Sequence, residues 1–162
     1  MSGHDLSHIS YTGGKSHKKD RIGIVVSKWN PTITEALKEG AISCLLEAGV
    51  KEKNISVHYV PGSFELPMAA NNLLMSSLRM NAVICLGCVI QGETRHFDFI
   101  SDAVAQGIMK VSINLHRPVI FGVLTPDTLQ QAKDRAGGKY GNKGIEAAVS
   151  CLEMIDFNRE VF

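Results

Sequence analysis

No apolar run in the sequence approaches the roughly 20 residues that a membrane-spanning helix needs, so no membrane partner is expected. Neither sign of charge is in excess. Against 16 Asp and Glu stand 17 Lys and Arg, which leaves no basic field to hold a nucleic-acid backbone. The opening residues, MSGHDLSHISYTGGKSHKKD, contain no hydrophobic segment of the kind a secretory signal requires. Cysteine is scarce, and Cys44, Cys85, Cys88 and Cys151 all fall within apolar segments. Cys85 and Cys88 are the one close pair. On a strand, residues three apart point to opposite faces, and no second Cys or His pair accompanies them. Reduced core cysteines, no metal site and a cytoplasmic protein are therefore expected.

What is present fits one domain: 162 residues, 44% of them hydrophobic, suffice for a substantial core. Residues 1–20 read as a polar arm carrying His4, His8, His17 and Gly13-Gly14, and residues 21–162 as a single domain. The arm is either a mobile tail or, through Ile9-Ser10-Tyr11, an added edge strand on another subunit. Beyond it, short apolar runs begin at Ile22, Ile55, Ala82 and Pro118, and each precedes a helical pattern. Ile33, Leu37, Ala41 and Leu45 share one helix face that ends at Gly49; Leu66, Ala70 and Leu73 share a second. Phe97, Ile100, Val104, Ile108 and Val111 share a third. Thr125-Pro126 reads as the N-cap and first residue of a fourth helix, about 11 residues and 16 Å long, reaching Arg135-Ala136. A last helix starts near Asn142, with Ile145, Ala148, Val149, Leu152 and Ile155 inward. This order predicts an α/β fold: a flavodoxin-like, three-layer αβα sandwich whose four-stranded parallel sheet has helices on both faces.

In such sheets ligands gather at the carboxyl ends of the strands. Trp29 and Asn30 end the first strand, Ser63, Phe64 and Glu65 follow the second, residues 89–96 follow the third and Thr125 the fourth. The turn Gln91-Gly92-Glu93-Thr94-Arg95-His96 joins a buried strand to a helix. Its free backbone N–H groups suit an anion, and His96 is suited to proton transfer near neutrality. Taken alone, the same turn reads rather as an ordinary strand–helix connection with a surface histidine. The residues together describe a small α/β enzyme, or a binder, of a phosphate-bearing ligand.

The ordered set Val26-Ser27-Lys28-Trp29-Asn30, Val60-Pro61-Gly62-Ser63-Phe64-Glu65-Leu66-Pro67, Leu86-Gly87-Cys88-Val89-Ile90, Gly92-Glu93-Thr94-Arg95-His96-Phe97-Asp98, Phe121-Gly122-Val123-Leu124-Thr125 and residues 135–144, RAGGKYGNKG, is similar to that of 6,7-dimethyl-8-ribityllumazine synthases. The similarity covers nearly the whole chain from Ile22. It implies condensation of 5-amino-6-(D-ribitylamino)uracil with 3,4-dihydroxy-2-butanone 4-phosphate, the penultimate step of riboflavin biosynthesis, with release of phosphate and water and with no metal or organic cofactor.

Under this resemblance Trp29 stacks on the uracil ring, beside Asn30. Ser63 and Phe64 hold ring and chain through backbone groups, and Glu65 accepts from ribityl hydroxyls. Cys88, Val89 and Ile90 supply walls and backbone contacts. Gly92, Glu93 and Thr94 receive the phosphate, His96 moves protons, and Arg135 and Lys143 face the leaving phosphate. Read without the family, Arg135 and Lys143 are solvated helix ends sooner than phosphate ligands. The family also implies a homo-oligomer in which Phe121, Arg135 and Lys143 come from a neighbouring chain. Its members are pentamers or icosahedral shells of twelve pentamers, and riboflavin synthase is the implied partner enzyme. The compact turn at 137–142 resembles that of the shell formers.

Three positions depart from the commonest pattern. Trp29 stands where many members carry phenylalanine, Gln91 replaces a frequent basic residue, and Glu93 brings a negative charge close to the phosphate. These departures bear on a second reading, a catalytically weak flavin-binding or shell-forming relative.

Overall fold

The structure, a computed structural model, describes residues 9–162. The first eight residues of the arm, with His4 and His8, lie outside that range. Four strands, β1 (Ile22–Ser27), β2 (Ile55–Val60), β3 (Ala82–Cys88) and β4 (Val119–Leu124), pair in parallel in the order β2-β1-β3-β4. The register aligns Val25 with Cys85, and Cys85 with Phe121. β1 and β3 are buried along their whole length, as unbroken apolar runs in a covered parallel sheet should be.

Alternate residues sort to the two faces. Ile22, Ile24, Val26, Ile84 and Leu86 pack under α1 (Pro31–Glu47) and α5 (Lys143–Val161). Val25, Val83 and Cys85 pack under α2 (Leu66–Met75) and α3 (His96–Leu115). Burial of each large aliphatic side chain in these layers contributes about 1.5–3 kcal/mol. Cys85 and Cys88 lie in opposite layers, all four cysteines are free, and burial pushes the thiols of Cys44 and Cys88 up to about 11.

Local signals place the helix ends. Pro31 opens α1, and Gly49, at φ 87°, turns the chain away after it. Asn142 caps α5 by accepting from the N–H groups of Gly144 and Ile145, while its Nδ2 donates to the Ala36 carbonyl 3.0 Å away. α1 and α5 approach so closely there that a Cβ on Gly144 would lie 1.8 Å from the Leu37 carbonyl oxygen.

The fourth helix differs from expectation. Thr125-Pro126 does not open it: the Pro126 carbonyl accepts from Gln91 N–H, so the chain stays extended beside the exit of β3. Thr128 is the N-cap, with Gln131 closing a capping box, and α4 (Leu129–Asp134) has 6 residues. It is therefore about 9 Å long rather than 16 Å. An antiparallel pair not anticipated from the sequence, β5 (Ala136–Gly138) and β6 (Gly141–Asn142), fills the remainder. α3 begins at His96, and its outer side bares Phe99, Met109 and Ile113. Residues 9–20 form no strand; Ile9 and Tyr11 pack on the layer under α1 and α5.

Candidate functional site

A cleft of about 570 Å³ opens at the carboxyl ends of β1, β2 and β3. Its contributors follow from the fold. β1 delivers Trp29 and Asn30 to the rim. Asn30 adopts a left-handed backbone (φ 56°), which asparagine tolerates better than most residues, and so turns the chain into α1. Its Nδ2 donates to the Cys88 carbonyl at 3.0 Å, tying the end of β1 to the end of β3. Trp29, beside this tie, is 71% exposed over the cleft.

β2 delivers Pro61 to Glu65, the last three in a 3₁₀ turn. Glu65 folds back so that its Oε2 accepts from Gly62 N–H at 2.8 Å. Ser63 is buried with its hydroxyl unpartnered among the described residues; Phe64 is exposed. β3 delivers Cys88, Val89 and Ile90, and then Gly92, Thr94 and His96; Phe97 and Ile100 from α3 close the wall. The Cys88 thiol, raised by burial, stays protonated at neutral pH and is no nucleophile.

The amino end of α3 carries no side-chain cap. Of its first N–H groups, that of Asp98 donates to the Arg95 carbonyl at 3.1 Å, whereas those of Gly92, Glu93 and Thr94 in the preceding turn make no hydrogen bond among the described residues. Asp98, in the first turn, supplies the opposing charge. His96 is exposed, and its own N–H reaches the Thr94 hydroxyl at 3.4 Å. Among the described residues, no three His, Cys, Asp or Glu side chains gather as a metal-binding group.

Four of the named site residues are not on this lining: Glu93, Phe121, Arg135 and Lys143. Glu93 is exposed. Phe121 lies on the edge strand β4, half-buried against the α2/α3 layer. Arg135 and Lys143 meet at Glu146. Arg135 Nη2 donates to Glu146 Oε1 at 2.7 Å, and Lys143 Nζ to Oε2 at 3.0 Å; Arg135 Nη1 also donates to the Tyr140 carbonyl, bracing the β5–β6 turn. The side chains of Arg135 and Lys143 are only 28% and 20% exposed, so they are not solvated helix ends. Glu146, 5% exposed, is the residue that sequence reasoning missed. Its spacing three after Lys143, just inside a helix capped by Asn142, was the available signal.

The sequence profile described as 6,7-dimethyl-8-ribityllumazine synthase matches residues 19–159. A protein of that name from Cytophaga hutchinsonii is 54% identical over 156 residues, covering 96% of this chain and 98% of its own length. Another, from Porphyromonas gingivalis, is 50% identical over 156 residues, 96% of each chain. With a strand-end cleft holding an aromatic, a carboxylate, an uncapped helix start and a histidine, and with likeness running the length of the chain, the protein belongs to the 6,7-dimethyl-8-ribityllumazine synthase family.

Proposed function

We propose that the cleft condenses 5-amino-6-(D-ribitylamino)uracil with 3,4-dihydroxy-2-butanone 4-phosphate to 6,7-dimethyl-8-ribityllumazine. The observation that carries this reading is the convergence of a flat apolar rim, Trp29, with an anion-ready helix start and His96 in one cleft. Joining an amine to a ketone requires the nitrogen to shed protons and the carbonyl oxygen to gain them, leaving as water. Expelling phosphate requires a carbon-bound proton to be removed. His96 takes and returns these protons. Trp29 stacks on the uracil ring, Ser63 and Phe64 hold it through backbone groups, Glu65 accepts from the ribityl hydroxyls, and Val89 and Ile90 wall the ring. The N–H groups of Gly92, Glu93 and Thr94 take the phosphate, the Glu93 side chain turning outward.

Phe121, Arg135 and Lys143 complete the cleft of a neighbouring chain. Two features support this: the cations lie off their own chain's lining, and they are held in place by a nearly buried carboxylate rather than free in solvent. A homo-oligomer, pentameric or assembled into a shell of pentamers, is then a condition for activity. Riboflavin synthase uses the product. The protein acts in the cytoplasm. A flavin-retaining relative without catalysis is not favoured, since the relatives at 54% and 50% identity bear the synthase's name.

Absorbance of the lumazine product on mixing the two substrates tests the proposal. Wild type forms product, and His96→Ala loses about 10²- to 10⁴-fold in kcat. No product with wild type, or an undiminished rate with His96→Ala, contradicts it.

A further inference from the structure

At the amino ends of the strands, opposite the cleft, charge is of one sign. Residues 66–92 and 103–126, which form α2, β3, β4 and most of α3, contain no Asp or Glu; their charged residues are Arg79, Lys110 and Arg117. The near balance of charge over the whole chain conceals this local excess. Arg21, exposed at the start of β1, joins it. The register aligns Ile22 with Ala82 and Val83 with Val119, so Arg21, Asn81 and Arg117 form one row across the starts of β1, β3 and β4. Asp20, next to Arg21, is 2% exposed and its carboxylate is taken up by His17 and Arg159. Among the described residues, Arg21, Arg79 and Arg117 form no ion pair with a carboxylate.

The row is held in place by the loop above it. Arg21 Nη1 donates to the Leu78 carbonyl at 3.1 Å and Arg117 Nη1 to the Met80 carbonyl at 2.8 Å, on either side of Arg79. Each bond uses one of five guanidinium N–H groups and leaves the rest for a ligand. The Arg79 side chain is exposed and makes no hydrogen bond among the described residues, and its backbone is left-handed, at φ 53°. Glycine or asparagine takes that conformation with the least strain. The other non-glycine residues with positive φ among those described are Asn30, at the cleft, and His116, beside Arg117. Strained backbone of this kind collects at functional sites. Bracing the loop explains Arg21 and Arg117; it does not explain a strained, unpaired arginine between them.

We propose that the amino edge of the sheet binds an extended acidic segment of a partner protein, with Arg21, Arg79 and Arg117 as the carboxylate-binding groups. Two interstrand spacings separate Arg21 from Arg117, about 10 Å, which is three residues of extended chain. Carboxylates three apart therefore meet both, each through the paired N–H bonds that a planar guanidinium offers. Met75 and Leu78, exposed beside the row, suit an aliphatic side chain between the carboxylates. None of the exposed aromatic side chains falls within residues 66–92 or 103–126, so nothing here stacks the bases of a single-stranded nucleic acid. The proposal is independent of the catalytic reading, which concerns the other edge of the sheet.

Fluorescence anisotropy of a labelled peptide, with glutamate at every third position and leucine and serine between, tests it. The full-length assembled protein is used at about 0.15 M salt, where distant exposed charges are screened. Wild type binds the peptide saturably, and the same peptide with glutamine for glutamate does not bind. Arg79→Gly suits the left-handed backbone, so its thermal midpoint holds while its affinity falls about tenfold or more with the loss of a charge-assisted pair. Arg79→Asn, also at ease in that conformation, repeats the result if the glycine variant does not fold. No binding by wild type, equal binding of the glutamine peptide, or unchanged affinity in the folded Arg79 variant overturns the proposal. Tighter binding of a single-stranded RNA with the same number of charges overturns it as well.

Discussion

Replacing Trp29 with alanine separates a substrate platform from a piece of core. The indole is 71% exposed and stands at the rim of the cleft, so its removal takes little apolar surface out of the folded interior. The loss in fold stability should stay within about 0.5 kcal/mol, as for other surface positions. Stacking of a heterocyclic base on an aromatic side chain contributes about 1–3 kcal/mol. At about 1.4 kcal/mol per tenfold, that is roughly a 5- to 140-fold rise in KM for the ribitylaminouracil. KM for the butanone phosphate, which the proposal places at the start of α3, should hold. Trp29→Phe, which keeps a flat face, should recover most of the loss. Steady-state assays with each substrate varied in turn, together with thermal unfolding, measure all of this. A Trp29→Ala protein with wild-type KM values, or one whose defect follows a large fall in thermal midpoint, refutes the assignment.

Glu146→Gln should cost about 1–3 kcal/mol of stability, because Arg135 and Lys143 lose a shared, nearly buried acceptor. It also raises the charge of that cluster by one, so inorganic phosphate should inhibit more strongly while KM for the uracil substrate holds; unchanged phosphate inhibition would mean the cluster only supports the fold. Gly144→Ala should destabilise by about 1–3 kcal/mol or more, since its methyl would meet the Leu37 carbonyl, whereas Gly14→Ala, with open space around it, should leave the thermal midpoint unchanged.

Where the signal was local and repeated, the sequence carried the fold. Apolar runs at β1 and β3 admitted one reading, and the stripe through Leu37, Ala41 and Leu45 met the core as its spacing requires. The fourth helix shows the opposite case. Thr125-Pro126 and Thr128 with Gln131 both resemble helix starts, and the choice was made by a distant hydrogen bond, Gln91 N–H to Pro126, that no window of sequence contains. The strand-end rule brought Trp29, Ser63 to Glu65 and His96 together because topology alone fixes that edge. Glu146 escaped notice because its role depends on a turn of the chain between Arg135 and Lys143. The inner face of α3 was read from its spacing, but the outer side, which bares Phe99, Met109 and Ile113, was not; helical periodicity reports one buried face and says nothing of a second.

The central claim is a synthase cleft completed by two chains. It is tested most directly by dissociating, mixing and reassembling equal amounts of His96→Ala and Arg135→Ala proteins, with mass measurement verifying that both occur in one assembly. Each variant alone keeps at most about 1% of wild-type activity. If a site draws His96 from one chain and Arg135 from its neighbour, random mixing gives about one site in four both groups, and product formation returns to about a quarter of wild type. No recovery in verified mixed assemblies would contradict the account.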